Sequence, residues 1–245
     1  MDRLPLETIP TKTNGVHWIS ADAYIFDIDG TLLSNRDRVH YDALNRAMLE
    51  AYEVDTTIAG VAYHGKTDLG ILRAALERVG ISKQVFEANL VAALAVVCRE
   101  VSQNAAALTP HVFPGIPELL AHLKAQDKLL GLASGNLQEV GWHKVKAAGL
   151  ADYFSFGCFS DAHESRAEIF QSAATEAKRR LGAGATVCFV GDTPEDIRAA
   201  RCANAQVISV CTGVFKADEL LPLQPDLCVA SCAELPKDFS ASVLT

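Results

Sequence analysis

From Phe113 to Val210, short apolar runs alternate with stretches of helical period, a pattern that fits a parallel sheet covered by helices. The spacing predicts strands over 128–133, 154–159, 186–190 and 206–210, and helices over 116–126, 139–149, 168–181 and 195–203. One more apolar run, Ala23-Tyr24-Ile25-Phe26, stands far upstream and supplies an earlier strand. The fold class is therefore α/β, with a Rossmann-like sheet and helices on both faces. Past residue 215 the sequence adds a short acidic helix over 217–221 and an edge strand over 226–229.

Directly behind the first strand comes Asp27-Ile28-Asp29-Gly30-Thr31. Open α/β sheets keep their chemistry at the C-terminal ends of strands. Side chains two apart in an extended chain share a side, so Asp27 and Asp29 crowd like charge unless a cation or a shared proton compensates. Gly30 permits a sharp turn, and Thr31 offers a hydroxyl to lock that turn or touch an anion. Alone, this segment also reads as an ordinary turn.

A second acidic segment agrees with the first. Gly191-Asp192-Thr193-Pro194-Glu195-Asp196 follows the apolar run 186–190 and opens a helix. Thr193 suits the cap and Pro194 the first turn. Capping alone does not call for Asp192 before the cap as well as Asp196 after it. Asp27, Asp29, Asp192 and Asp196 at strand ends make an all-oxygen site suited to Mg²⁺.

These two motifs, in this order and strand context, resemble the haloacid dehalogenase-like hydrolase superfamily, whose members carry D-x-D-G-T after the first strand and G-D-x-x-x-D after the fourth. The resemblance implies a Ser or Thr at the end of an intervening strand, and Ser134-Gly135-Asn136 supplies it as a phosphate-binding turn. It also implies a Lys or Arg between that turn and the last motif. There is no Lys-Pro pair here, and Arg166 matches the variant with Arg, which binds phosphate or carboxylate bidentately. Lys144 and Lys146, on the preceding helix, are weaker candidates. Within the superfamily the chain is most similar to phosphoglycolate phosphatases with an α-helical cap.

Strand patterns vanish between Leu33 and Pro110, where helical stretches over 41–52, 67–79 and 84–101 take over. The nine-residue apolar run 90–98 is far below the roughly 20 residues needed to span a bilayer and reads as the core helix of a small bundle. The expected organisation is an N-terminal extension over 1–19, a core from 20–33 and 111–245, and an inserted helical cap over 34–110. His64-Gly65-Lys66-Thr67-Asp68 reads as a loop and helix start. In related capped phosphatases the corresponding loop reaches the active site, which makes His64 and Lys66 candidates for contact with the leaving group or a second anionic group.

By the same resemblance, Asp27 attacks phosphorus and Asp29 protonates the leaving oxygen, then deprotonates the water that hydrolyses the aspartyl-phosphate. Mg²⁺ is held by the carboxylates of Asp27 and Asp192, the Asp29 carbonyl, and Asp196 through water. Thr31, Ser134, Gly135, Asn136 and Arg166 bind phosphate. Asp29 separates the chain from phosphonoacetaldehyde hydrolases and true haloacid dehalogenases, which lack that second aspartate. A β-phosphoglucomutase-like transferase and a non-catalytic sensor of phosphorylated ligands remain the alternatives.

A formal net charge of −8 argues against a nucleic-acid partner. The expected partner is a small phosphorylated substrate, on a monomer or homodimer, with no membrane association. Seven cysteines include no C-x-x-C pair and read as reduced, small apolar residues. The N-terminus lacks a charged-then-apolar leader pattern, so cytoplasm is the default location. Trp18 is expected to anchor the N-terminal arm on the core or on another subunit.

Overall fold

The computed structural model describes residues 21–161 and 163–235; the expected N-terminal arm with Trp18 lies outside them. Strand β1 (Ala23–Phe26) sits near the middle of a six-stranded parallel sheet with β4 (Leu129–Ala133), β5 (Phe156–Cys158), β6 (Val187–Gly191), β7 (Gln206–Val210) and β8 (Leu227–Val229), in the order β5-β4-β1-β6-β7-β8. The pleat sends Tyr24 and Phe26 to one face and Ala23 and Ile25 to the other, and all four are fully buried. Burial on both faces explains why the strands read as unbroken apolar runs.

Helices α4 (Ile116–Ala125) and α5 (Gln138–Ala147) cover the Tyr24 face through Ile116, Leu119, Leu120, Leu123 and Val145. Helices α6 (Arg166–Leu181) and α7 (Pro194–Cys202) cover the other through Ile169, Phe170, Ala173, Ile197 and Ala200, with Phe170 stacked on Phe189 at 4.2 Å. A short helix α8 (Ala217–Leu220) precedes β8, which forms the expected edge strand. Strand β5 is half as long as the run 154–159 suggested. Phe154 packs edge-on to Phe26, and Phe159 turns onto Trp142 of α5, so the ends of that run pack rather than pair.

The segment between β1 and β4 is helical, as its period predicted: α1 (Val39–Tyr52), α2 (Asp68–Glu77) and α3 (Lys83–Gln103). Ala43, Leu44, Ala47 and Met48 of α1 recur at helical spacing and pack with Leu72 and Leu76 of α2 and Phe86, Ala93 and Val97 of α3. This cluster continues onto Leu137 and Val140 beside the sheet. Only one face of the apolar run 90–98 is buried; Val91 stands in solvent.

The two crossings into and out of this segment form a structure the sequence did not announce. Strands β2 (Leu33–Asn35) and β3 (Pro110–Val112) pair antiparallel, Leu33 opposite Val112 and Asn35 opposite Pro110. No helix among the described residues is long and apolar enough to cross a membrane.

Candidate active site

Strand order reverses at β1, which has β4 on one side and β6 on the other, and the crevice beyond its C-terminal end is where ligands bind in such sheets. Asp27 emerges there, its N–H donating to the Val190 carbonyl at 3.0 Å and its carboxylate buried. Arg166, in the first turn of α6, reaches Asp27 Oδ2 with Nη2 at 2.8 Å and donates Nε–H to Asp196 Oδ1 at 2.6 Å. The buried Nη2 makes no well-aligned hydrogen bond of its own, so it has donor capacity left at the crevice. Burial works against the Arg166 charge, but Asp196 and Asp27 outweigh it and hold the guanidinium ionised.

Oxygens of Asp27, Asp192 and Asp196 lie within 4.8 Å of one another, all three residues buried. Burial pushes the Asp27 carboxyl up to about 6; Arg166 works the other way, while Asp196 and Asp29 add to the rise. Burial likewise raises Asp192 well above the usual range, reinforced by Asp196 and Asp27. Gly30, at φ 90°, and Gly213 close on the Asp192 carboxylate so tightly that a Cβ on either would fall within 2.3 Å of Oδ2. A cramped, all-oxygen cluster with excess negative charge fits a hard divalent cation.

Two of the expected residues are tied into this cluster by hydrogen bonds. Thr31 is fully buried and donates its hydroxyl to Asp192 Oδ1 at 3.0 Å, so it fixes that carboxylate instead of contacting phosphate. Asp196 accepts Arg166 on Oδ1, and on Oδ2 the N–H of Asp192, the N–H of Thr193 and the Thr193 hydroxyl. A capping box and an ion pair thus fix Asp196 in place within the cluster it forms with Asp27 and Asp192.

Asp29 is held differently. Asn35 donates to its Oδ1 at 2.9 Å; Asn136 and Lys144 donate to its Oδ2, both at 2.7 Å. The crevice works to raise the Asp29 pKa, but Lys144, Asn136 and His40 together leave it lowered. Its side chain still exposes 42% of its surface. Asn136 also donates to the Ser134 hydroxyl at 2.8 Å, which orders the turn after β4.

Lys144 is the residue that sequence reasoning underrated. Read as one of two spare lysines on a helix, it is in fact 2% exposed. The signal was its place in the buried stripe of α5, four residues after Val140 and beside Val145. His40 and Asp68 had no such signal. Asp68 reads as a helix start, but Thr67 caps α2 by accepting Gly70 N–H at 3.1 Å, and Asp68 instead accepts Leu137 N–H at 2.8 Å across to α5.

A cavity of about 580 Å³ lies between the helical segment and the sheet, and Asp27, Asp29, Ser134, Arg166 and Asp192 line it. His64, Lys66, Arg38 and Tyr63 line it from the helical side, with the Tyr63 and His64 rings 4.3 Å apart. Asp68 N–H donates to the Gly135 carbonyl at 2.7 Å, and Arg73 clamps Glu164 bidentately at 2.7 and 2.8 Å. The helical segment is thus seated on the sheet side, with the cavity between them.

Over 127 residues, 51% of this chain and 54% of the relative, it is 34% identical to Probable phosphatase IndB of Dickeya dadantii. It is 26% identical over 126 residues to a phosphoglycolate phosphatase of Nitrosococcus oceani, covering 51% and 56% of the two. The chain spans about half the length of these curated relatives. A crystal structure described as a predicted phosphoglycolate phosphatase from Haemophilus somnus superposes with a TM-score of 0.67 at 17% identity, over 90% of this chain and 98% of that one, a likeness of fold. The family model for haloacid dehalogenase-like hydrolase matches residues 21–204, a stretch that carries Asp27, Ser134, Arg166 and Asp192 alike, and the chain therefore belongs to that family.

Proposed function

We propose that the chain is a Mg²⁺-dependent phosphatase for a small phosphate monoester, acting through an aspartyl-phosphate on Asp27. The observation that carries this reading is the contrast within one loop. Asp27 is buried against a guanidinium and two carboxylates, whereas Asp29, two residues on, is held by three donors and opens to the same cavity. One suits a nucleophile approached by phosphate; the other suits a proton carrier.

In the first step an Asp27 oxygen bonds to phosphorus as the ester P–O bond breaks, and the proton on Asp29 passes to the departing oxygen. In the second, water bonds to phosphorus, its proton passes to Asp29, and the Asp27–phosphorus bond breaks. The lowered pKa of Asp29 keeps it ionised, and so free to accept a proton, before phosphate binds. Its work as acid is favoured when phosphate arrives, because a nearby negative charge raises a carboxyl pKa. Arg166 and the Ser134-Gly135-Asn136 turn bind the transferring oxygens. Mg²⁺, held by Asp27, Asp192 and the Asp29 carbonyl with Asp196 behind them, would neutralise the approach of a carboxylate to a phosphate dianion.

The test is phosphate release from a panel of esters that includes 2-phosphoglycolate and p-nitrophenyl phosphate. Release that falls at least ~100-fold on chelation and returns with Mg²⁺ is the expected result. A folded protein that binds Mg²⁺ and releases nothing shifts the reading to phosphoryl transfer or ligand sensing.

Residues 34–110 act here as a cap, and His64 and Lys66, which line the same cavity as Asp27, contact the rest of the substrate. Lys66→Ala is expected to lower kcat/KM by ~10- to 100-fold for substrates with a second anionic group and by less than ~3-fold for p-nitrophenyl phosphate. Equal kcat/KM across the panel rules that contact out.

A further inference from the structure

Lys144 projects from α5 into the interior and ends among three partners: Asp29 Oδ2 at 2.7 Å, Asn136 Oδ1 at 2.8 Å and His40 Nδ1 at 3.0 Å. An ammonium has three N–H donors and no acceptor, so each partner takes one of them. His40 Nδ1 must then be the acceptor, which puts the ring proton on Nε2, 3.1 Å from Asp68 Oδ2. The side chain of Lys144 is 3% exposed. A methionine of similar length would fill this place in the apolar stripe of α5 without bringing a charge into the interior, so stability alone does not account for a lysine here.

The geometry of the partners does. Asp29 Oδ1 is fixed by Asn35, and Oδ2 is fixed by Lys144 together with Asn136. Lys144 also grips the carbonyl end of the Asn136 amide, while the amino end of that amide holds Asp29 and Ser134. One ammonium therefore sets both the carboxylate and the side chain that supports it. Behind it, His40 and Asp68 come from α1 and α2, so the support crosses from the helical segment to the sheet side.

We infer that Lys144 is a positioning residue that aims the Asp29 carboxylate for both proton transfers of the reaction cycle. The inference rests on the phosphatase reading, since it gives Asp29 its task. Its consequence is that the two halves of the cycle depend on Lys144 to different extents for different leaving groups. p-Nitrophenolate leaves without a proton, so phosphorylation of Asp27 by that ester does not need an aimed Asp29. Hydrolysis of the aspartyl-phosphate still does, because the attacking water must lose a proton.

The experiment compares wild type with Lys144→Met by rapid mixing with p-nitrophenyl phosphate and by steady-state kinetics with 2-phosphoglycolate. Expected for the variant is a burst approaching one p-nitrophenolate per site, followed by turnover ~30- to 100-fold slower than wild type. With 2-phosphoglycolate, kcat falls at least as far, no burst of product appears and KM stays within ~3-fold, while for p-nitrophenyl phosphate KM falls in step with turnover because kcat/KM, set by the phosphorylation half, is unchanged. His40→Gln, read in the same way, is expected to show a smaller loss of ~5-fold with the same pattern, and it stands in if Lys144→Met does not fold. Turnover without a burst and with an equal loss for both esters, or a change in KM alone, overturns the role of Lys144. A wild type that hydrolyses no ester overturns the phosphatase reading and the inference with it.

Discussion

Asp27→Asn loses turnover by at least ~10³-fold and yet, in metal-free buffer at pH 7.5, unfolds at a higher temperature than wild type. The first half follows from removing the nucleophile. The second follows from the buried cluster. The folded pKa of Asp27 is raised to about 6 from an ordinary 3.8, so the native state binds the proton more tightly than the unfolded chain does. Ionising Asp27 therefore costs stability, and that cost grows as pH rises from 3.8 to 6 and is complete above it. Two units correspond to up to about 3 kcal/mol, which a neutral amide avoids. The advantage of the variant should shrink as pH is lowered toward 4, and the stabilisation of wild type by Mg²⁺ should be smaller in the variant. Thermal unfolding from pH 4 to 8, with and without Mg²⁺, reads all of this. A variant that keeps more than about 1% of turnover means that water attacks phosphorus directly, without an aspartyl-phosphate.

The opposite sign is expected at the facing cation. Arg166→Ala leaves Asp27, Asp192 and Asp196 without their buried counter-charge, and breaking a buried pair from one side costs about 3–5 kcal/mol. For a domain of this size that is a fall in Tm of roughly 10 °C, together with a large loss in kcat/KM. Arg166→Lys restores the charge but not the two-pronged reach to Asp196 Oδ1 and Asp27 Oδ2, so it should recover most of the stability and little of the activity. Denaturant unfolding and phosphate release on the two variants separate these effects. An Arg166→Ala protein as stable as wild type would mean that the carboxylates carry too little charge to need it.

The sheet and most of the site were legible because their signals are local. Strands β1, β4 and β6 are runs of four or five apolar residues, and Asp27, Ser134 and Asp192 stand directly behind their ends. Arg166 could be placed because its helix starts there. The misreadings share a cause in the reverse situation. Lys144, His40 and Asp68 become neighbours only when the helical segment seats against the sheet side and α5, and no spacing along the chain records that. Thr31 was recognised as part of the site but paired with phosphate, whereas its hydroxyl donates to Asp192, because a sequence shows which residues carry a hydroxyl and not where that hydroxyl donates. The β2–β3 pair escaped notice because three-residue strands, one opening on proline, carry too little pattern to be seen before their partner is known.

That pair also bears on how the chain reaches its fold. Ala23 of β1 must find Leu129 of β4 across the whole helical segment, and closing so long a loop is entropically costly and slow. Helices α1 to α3 are local and can assemble early around their own apolar cluster. Once they do, Asn35 and Pro110 are brought opposite each other, and the loop left to close shrinks to residues 24–32 on one side of the ribbon and 113–128, with α4, on the other. The antiparallel ribbon then serves as a clasp that shortens the path between β1 and β4 before the two strands pair.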